Sequence, residues 1–301
     1  MDCFRQNFSE TAINWNYTTG DFDEFHRTHW PVIDSVPGAL TCLEAFFLYK
    51  SAKGVNNSVR DIDQPLPKFV VEIGSYMGRS SVAIGLGLKE RDAQETVVKL
   101  VCVDPLFNCK NSDLNVGRIF FENIKRAEVS EFVEMMPGFS ADVFDDWNKT
   151  DGIAMLWIDG NHESEFVEKD INLWSQYLVP GGLIICHDWY LLGVQEVVKR
   201  LIFGVPHFQN CCAINGNLIA GTRVDVPPSA SQRAQKRRLY LTLRSGNRSA
   251  LSHLAYIVLD VVDKPFGSFL KFFSVPPSLQ EPLYLESSSK EEVNEERRPS
   301  R

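Results

Sequence analysis

From Lys68 onward the chain alternates short runs that are apolar at nearly every position with longer stretches whose apolar residues recur every three or four. The short runs are FVVEI (69–73), VKLVCV (98–103), FVEMM (132–136), IAMLWI (153–158) and GLIICH (182–187). Their length, their Val and Ile content and the lack of a polar face predict strands covered on both sides. Helical stretches near 79–90, 113–128, 163–178 and 191–203 separate them. The alternation predicts an α/β fold with a doubly wound, mostly parallel sheet and right-handed crossovers. In such sheets ligands gather at the carboxyl ends of the strands. Asn215-Gly216, between apolar runs at 212–215 and 217–222, predicts a closing hairpin.

Upstream, GALTCLEAFFLYKSA (38–52) predicts a helix with Leu40, Leu43, Phe46 and Phe47 on one face. Residues 1–37 lack a clear period and read as an N-terminal extension, in which Phe22, Phe25, Trp30 and Pro31 can pack as a lid or collar. The main domain is expected over 38–224. Residues 225–285 read as a basic linker leading to an amphipathic helix, with Leu251, Leu254, Ala255, Val258 and Val262 on one side. Residues 286–301, charged and Ser-rich, read as a disordered tail.

A chain of 301 residues with 44% hydrophobic content can bury the core of one such domain plus extensions. The net charge of −8 argues against general nucleic-acid binding, which needs a basic surface. MDCFRQNFSE lacks the basic and apolar blocks of a secretory signal, and no apolar run reaches the ~18–20 residues that cross a bilayer. A cytoplasmic protein is expected. Seven cysteines, an odd number without ligand-like spacing, read as free thiols.

The first strand runs into Glu72-Ile73-Gly74-Ser75-Tyr76-Met77-Gly78-Arg79-Ser80. Glycines at 74 and 78 let the backbone turn into a helix close to a ligand. The loop lacks the G-x-G-x-x-G of dinucleotide folds and the lysine of a P-loop. A carboxylate at Glu72 would repel a pyrophosphate but tolerate a cationic, zwitterionic ligand. Asp104 ends the second strand 30 residues after Gly74, where a carboxylate can accept hydrogen bonds from both hydroxyls of a ribose. The plainer alternative for Asp104 is a turn aspartate before Pro105.

With these residues in view, VVEIGSYMGRSSVAIGLGL resembles the first motif of class I S-adenosylmethionine-dependent methyltransferases. Its closest likeness is to the metal-dependent O-methyltransferases of the catechol and caffeoyl-CoA type. IDGNHESEFVEKDINLWSQYLVPGGLIICHDW resembles a group that includes macrocin-type sugar O-methyltransferases and cephalosporin-hydroxylase-like proteins. The resemblance spans about residues 40–222 and implies a Rossmann-like methyltransferase fold with S-adenosylmethionine as cofactor. It implies cofactor contacts from Glu72, Gly74, Ser75, Tyr76, Gly78 and Ser80, ribose contact from Asp104, and an adenine border at Gly138, Ser140 and Ala141. Ser140 also suits a helix N-cap.

Asp159, His162, His187 and Asp188 form the most informative constellation. Asp159 ends one strand and His187-Asp188 ends the next, so neighbouring strands would bring them together beside the cofactor, with Asp159 touching both. In the resembling enzymes these positions hold Mg²⁺ on two aspartates and an asparagine. Here the metal set would be Asp159, His187 and Asp188, and an imidazole admits softer divalent metals than Mg²⁺. His162 stands where those enzymes carry a catalytic lysine. With a pKa of about 6.5 an imidazole can take a proton from an acceptor hydroxyl; alternatively His162 only shapes the pocket by bonding Asp188. Trp189 and Tyr190 read either as an aromatic wall or as packing.

The expected function is therefore S-adenosylmethionine-dependent O-methylation of a small hydroxylated acceptor, with Asp159, His162 and Asp188 as catalytic residues. A non-catalytic binding protein on the same fold and a nicotinamide-dependent oxidoreductase are the alternatives. Arg233, Lys236, Arg237, Arg238, Arg244 and Arg248 precede the amphipathic helix and FLKFF (269–273), together the basic amphipathic pattern of segments that lie on anionic membrane surfaces, a pattern that more often packs on its own domain or forms a homodimer contact.

Overall fold

The computed structural model describes residues 18–55, 67–91, 97–107, 115–147 and 152–246. Residues 1–17, the apolar stretch from Leu251 to Val262 and the tail 286–301 lie outside the described residues. Three helices come first: α1 (Thr19–Thr28), α2 (Trp30–Asp34) and α3 (Cys42–Lys53). Then follow β1 (Phe69–Ile73), α4 (Arg79–Lys89), β2 (Lys99–Asp104), α5 (Val116–Arg126), β3 (Val133–Pro137), the short α6 (Ser140–Val143) and β4 (Ile153–Ile158). The chain continues through α7 (Ser164–Trp174), β5 (Leu178–Cys186), α8 (Leu192–Val198), β6 (Phe208–Ile214), β7 (Leu218–Arg223) and α9 (Ala230–Gly246).

The seven strands form one sheet in the order β3-β2-β1-β4-β5-β7-β6. β1 to β5 are mutually parallel, and the β6–β7 hairpin joins antiparallel, with β7 against β5. This is the strand order of the methyltransferase-type α/β fold. From β1 the chain winds outward to β3, then returns to lay β4 on the other side of β1. The switch point lies between β1 and β4, which is where an open sheet forms its ligand crevice.

Successive strand residues face opposite cores. Val70, Leu100, Cys102, Met155 and Trp157 join one buried cluster, and Val71, Val101, Val103, Leu156 and Ile158 the other. Both faces are therefore dry, which explains the runs without polar alternation. β5 begins earlier than expected, at Leu178. Pro180, Gly181 and Gly182 lie within it, and the pairing to β4 shifts register between Ile153 and Met155. Pro180-Gly181-Gly182 make an irregular strand start, tolerated because Gly181 takes φ +82°. The five cysteines at 42, 102, 186, 211 and 212 are buried and form no disulfide with one another.

Two boundaries differ from the sequence expectation. Residues 18–37 are part of the core: Phe25, Trp30, Ile33 and Val36 are almost fully buried in the cluster that includes α3 and α4. The tie is Arg79, the first residue of α4. Its guanidinium donates to the carbonyls of Val36 and Gly38, pairs with Asp34 at 2.6 Å and lies over the Trp30 ring at 5.0 Å. Likewise 230–246, expected as linker, is helical. Ser229 and Gln232 cap it reciprocally, and Leu239, Tyr240 and Leu243 pack on the second core cluster. Helix-favouring Ala, Gln, Lys, Arg and Leu residues fill the segment, and the many arginines had obscured its period.

Arg79→Ala should remove every one of these links and strand the Asp34 carboxylate. We expect a loss of about 3 kcal/mol in denaturant unfolding, with earlier protease cleavage near residues 34–38. Wild-type stability in that variant would show that the N-terminal helices hold without the clamp.

Candidate active site

The loop after β1 is built around glycine. Gly74 has φ +87°, and a Cβ there would lie 2.1 Å from the Asp159 carbonyl oxygen, so no side chain fits. Gly78, at φ +91°, opens α4, and Tyr76 also takes a positive φ of 45°. Asp159 N–H donates to the Ile73 carbonyl at 2.8 Å, and Gly74 N–H to that of Val103 at 2.9 Å. The exits of β1, β2 and β4 are thereby fastened together.

Glu72 lies beneath this loop, fully buried. Its carboxylate accepts from the hydroxyls of Ser80 and Ser81, and from the Cys102 thiol at 3.1 Å. Burial raises its pKa despite these donors. In this arrangement Glu72 and Ser80 brace the loop from below. Ser75 and Tyr76 donate their backbone N–H groups to Asp104 Oδ2 at 2.9 and 2.8 Å, and Leu106 N–H to Oδ1 at 2.6 Å. Asp104 thus stitches β2 to the glycine loop, with about one of its four acceptor directions left for a ligand hydroxyl. Ser140 is not an N-cap, a position held by Phe139. Its hydroxyl donates to Asp170, whose pKa burial raises to about 6.

The expected convergence of strand ends is present. Ile158 and Cys186 are register partners on β4 and β5, and Asp159 and Asp188 follow them closely. His162 Nε2 lies 2.8 Å from Asp188 Oδ2 and 4.0 Å from Asp159 Oδ1. Asp159, His162 and Asp188 each offer a donor atom within 4.8 Å of the others, all half-buried. These three suit a divalent cation on geometry and chemistry. His187 is a different matter, with its side chain only 3% exposed. Nδ1 faces Asp159 Oδ1 at 3.2 Å and Asp188 Oδ1 at 3.4 Å, and Nε2 faces Glu44 Oε1 at 3.5 Å. The imidazole available beside the two aspartates is that of His162, while His187 stands behind them. Asp188 itself takes φ +55°, a backbone state that aspartate tolerates better than most residues.

Sequence reasoning missed two residues of this cluster. Glu44 forms a capping box with Thr41 at the start of α3 through one carboxylate oxygen. Its other oxygen faces His187 and accepts from Asn217 Nδ2 at 3.3 Å. Asn217, just past the β6–β7 turn, also donates to Asp188 Oδ1 at 3.4 Å. The T-x-x-E of a helix start and the Asn-Gly turn are both legible, but not where their spare atoms point. Gly193, near the start of α8, sits so close to the His162 carbonyl that a Cβ would approach it to 2.2 Å, which fixes the backbone of that loop. Trp189 is buried packing against Phe203, whereas Tyr190 is exposed beside Asp188.

Charge balance sets the protonation. Burial alone would lower the pKa of His162, but Asp159 and Asp188 overcome it and push it up to about 9. His187 is raised too, since Asp159, Asp188 and Glu44 outweigh its burial. Burial would raise Asp188, but His187 and His162 hold it far below the usual carboxylate range. The two carboxylates thus favour the protonated form of the His162 ring.

Residues 71–189 match the family described as a methyltransferase domain. Solved structures of similar shape include an O-methyltransferase from Bacillus cereus in complex with SAH, at 15% identity, TM-score 0.45, covering 70% of this chain and 94% of that one. Another is a putative caffeoyl-CoA O-methyltransferase from Staphylococcus aureus, at 14% identity, TM-score 0.46, with 67% and 91% covered. A putative O-methyltransferase from Klebsiella pneumoniae matches at 15% identity, TM-score 0.45, with 70% and 93% covered. In fold and over residues 71–189 the chain is thus similar to methyltransferases.

The raised pKa of His162 has a defined consequence for stability. Its contribution is fully present below its unfolded value of about 6.5 and disappears as pH rises through about 9. Between these limits wild type should lose roughly 2–3 kcal/mol more than His162→Asn in urea unfolding. Parallel curves for the two proteins would mean that the His162–Asp188 pair carries no charge.

Proposed function

We propose that the chain is an S-adenosylmethionine-dependent O-methyltransferase acting on a small hydroxylated acceptor. The observation that carries this reading is the half-buried Asp159–His162–Asp188 cluster at the switch point, directly against the glycine loop. The loop from Gly74 to Gly78 and the remaining acceptor of Asp104 suit a zwitterionic nucleoside cofactor. The Asp159 and Asp188 carboxylates favour its sulfonium over an anionic cofactor.

In the transfer the sulfonium S–CH₃ bond breaks as the acceptor oxygen forms its bond to the methyl carbon. The acceptor's hydroxyl proton is released to the site or to water. Alignment of the two reactants is the main contribution of the protein, and in general it is worth several kcal/mol. Asp159, His162 and Asp188 would hold a divalent cation, and when bound the cation supplies Lewis acidity that acidifies a hydroxyl ligated to it. The imidazole in that set suits Mn²⁺ or another transition metal better than Mg²⁺. Asp188 and Asp159 orient the acceptor hydroxyl, and His187, held by Glu44 and Asn217, keeps both carboxylates in position. Tyr190 flanks the acceptor side.

Calorimetric titration of S-adenosylmethionine, with and without Mg²⁺ or Mn²⁺, tests the cofactor. Micromolar binding is expected; absence of binding, or preference for a nicotinamide nucleotide, would reject the reading. Asp188→Asn, which keeps shape and removes charge, should abolish methyl transfer and leave cofactor affinity nearly intact. Unchanged turnover would remove Asp188 from the mechanism. Glu44→Gln should weaken Mn²⁺ binding by roughly 10–100-fold without changing cofactor affinity, as loss of a group that orients metal ligands generally does. Equal Mn²⁺ affinity would make Glu44 a helix cap and nothing more.

A further inference from the structure

A second region, at the start of β6 and so at the opposite end of the sheet from the strand exits that form the site, carries chemistry that methyl transfer does not use. α9 packs on β6, the outermost strand of the sheet. Its inward face is anchored by Lys236, which is buried and donates to the carbonyls of Val205 and Phe208. Leu239, Tyr240 and Leu243 complete that face. With the rotation of the helix fixed in this way, Arg233, Arg237, Arg238 and Arg244 are all exposed. Leu241 is exposed among them at 50%. None of these arginines pairs with a carboxylate among the described residues, although Arg233 donates to the Pro228 carbonyl. The contrast is Arg200 on the neighbouring turn, which Glu168 neutralises through two bonds of 2.7 Å.

The sequence sharpens the asymmetry. Residues 226–259 contain six Lys and Arg and no Asp or Glu, within a chain of net charge −8. The part that follows the helix, SALSHLAYIVL (249–259), contains none of the four charged residue types and is mostly apolar. At the foot of α9 lies a cavity of about 320 Å³, lined by Arg233, Lys236, Arg237, Tyr240 and Gln209. Gln209 is buried, and its Oε1 has no donor.

We propose that the arginine face of α9 docks the protein on an anionic phospholipid surface. Clustered arginines draw the helix to acidic headgroups, at a gain that adds up over each cation close to the surface. Leu241, exposed among these arginines, favours a lipid interface over a nucleic acid, whose phosphates would leave an apolar side chain without a partner. The cavity beside Arg233 and Arg237 can take one headgroup, with its phosphate on the cations and an N–H or O–H donor toward Gln209.

Flotation of the full chain with vesicles of phosphatidylcholine alone, or with added phosphatidylserine, tests the proposal. Binding is expected only to the serine-containing vesicles and should fall as salt is raised. The triple variant Arg237→Glu, Arg238→Glu, Arg244→Glu should reduce it on the order of a hundredfold. S-adenosylmethionine affinity, measured on the same preparations, should be the same for variant and wild type, so this test stands apart from the proposed methyl transfer. No wild-type binding to the anionic vesicles, or equal binding by the variant, would overturn the proposal. So would soluble glycerophosphoserine binding as tightly as vesicles, which would make the cavity a small-molecule site. An RNA homopolymer that binds where vesicles do not would identify a nucleic-acid surface instead.

Discussion

At Gly74 the chain leaves β1 so close to the end of β4 that a single methyl group on its Cα would collide with the Asp159 carbonyl. That contact sets how near the glycine loop comes to the carboxylate cluster. Four hydrogen bonds share the work: Asp159 N–H to the Ile73 carbonyl, Gly74 N–H to that of Val103, and the two loop amides donating to the Asp104 carboxylate. Every group proposed to act sits on one of the strand exits so joined, or on the exit of β5 next to them. A larger residue at 74 would separate the loop from the cluster even if each half folded correctly, because the clash is with backbone and no rotamer relieves it.

Burying charge behind this junction is costly, and the molecule offsets the cost by near-neutralisation. Asp159, Asp188 and Glu44 face His162 and His187, so the cluster carries a small net negative charge when both imidazoles are protonated. Deleting either histidine leaves a further uncompensated buried carboxylate, generally a loss of several kcal/mol. A cation entering among Asp159, His162 and Asp188 would have to displace the proton on His162. Metal affinity and the protonation of that one side chain are therefore linked. Glu72 shows the other solution: isolated from any cation, it collects two hydroxyls and a thiol, and its pKa rises.

The parts of the fold that depend on local periodicity were legible in the residues. The central strands β1, β2 and β4 lie close to the apolar runs, because strands covered on both faces have no polar positions to blur them, whereas β5 and β6 begin about four residues earlier than their runs. Asp159, His162 and Asp188 were legible for the same reason, as polar residues abruptly ending apolar strands. The N-terminal helices were harder, because their burial depends on Arg79, a charged residue whose role as a clamp exists only in three dimensions. Glu44 and Asn217 could not have been paired from the sequence, as 173 residues separate them and each has a sufficient local explanation. His187 was expected as a ligand by its place next to Asp188. The chain has left β5 by then, and the buried His187 ring faces Asp159, Asp188 and Glu44 from the core side.

Glu44 connects these themes. One oxygen caps α3 and the other faces His187, so the same carboxylate that starts a helix of the N-terminal bundle also holds the ring behind the two aspartates. Helix ends are usually the first part of a helix to fray. Here fraying would remove a partner from a buried imidazolium, and that electrostatic cost resists it. The N-terminal helices are consequently not a lid laid over a finished domain. Their packing through Phe25, Trp30 and Ile33 presses α3 onto the sheet, and α3 in turn fixes the position of His187. A substitution that loosens the bundle, even one far from the crevice, would reach Asp159 and Asp188 through Glu44.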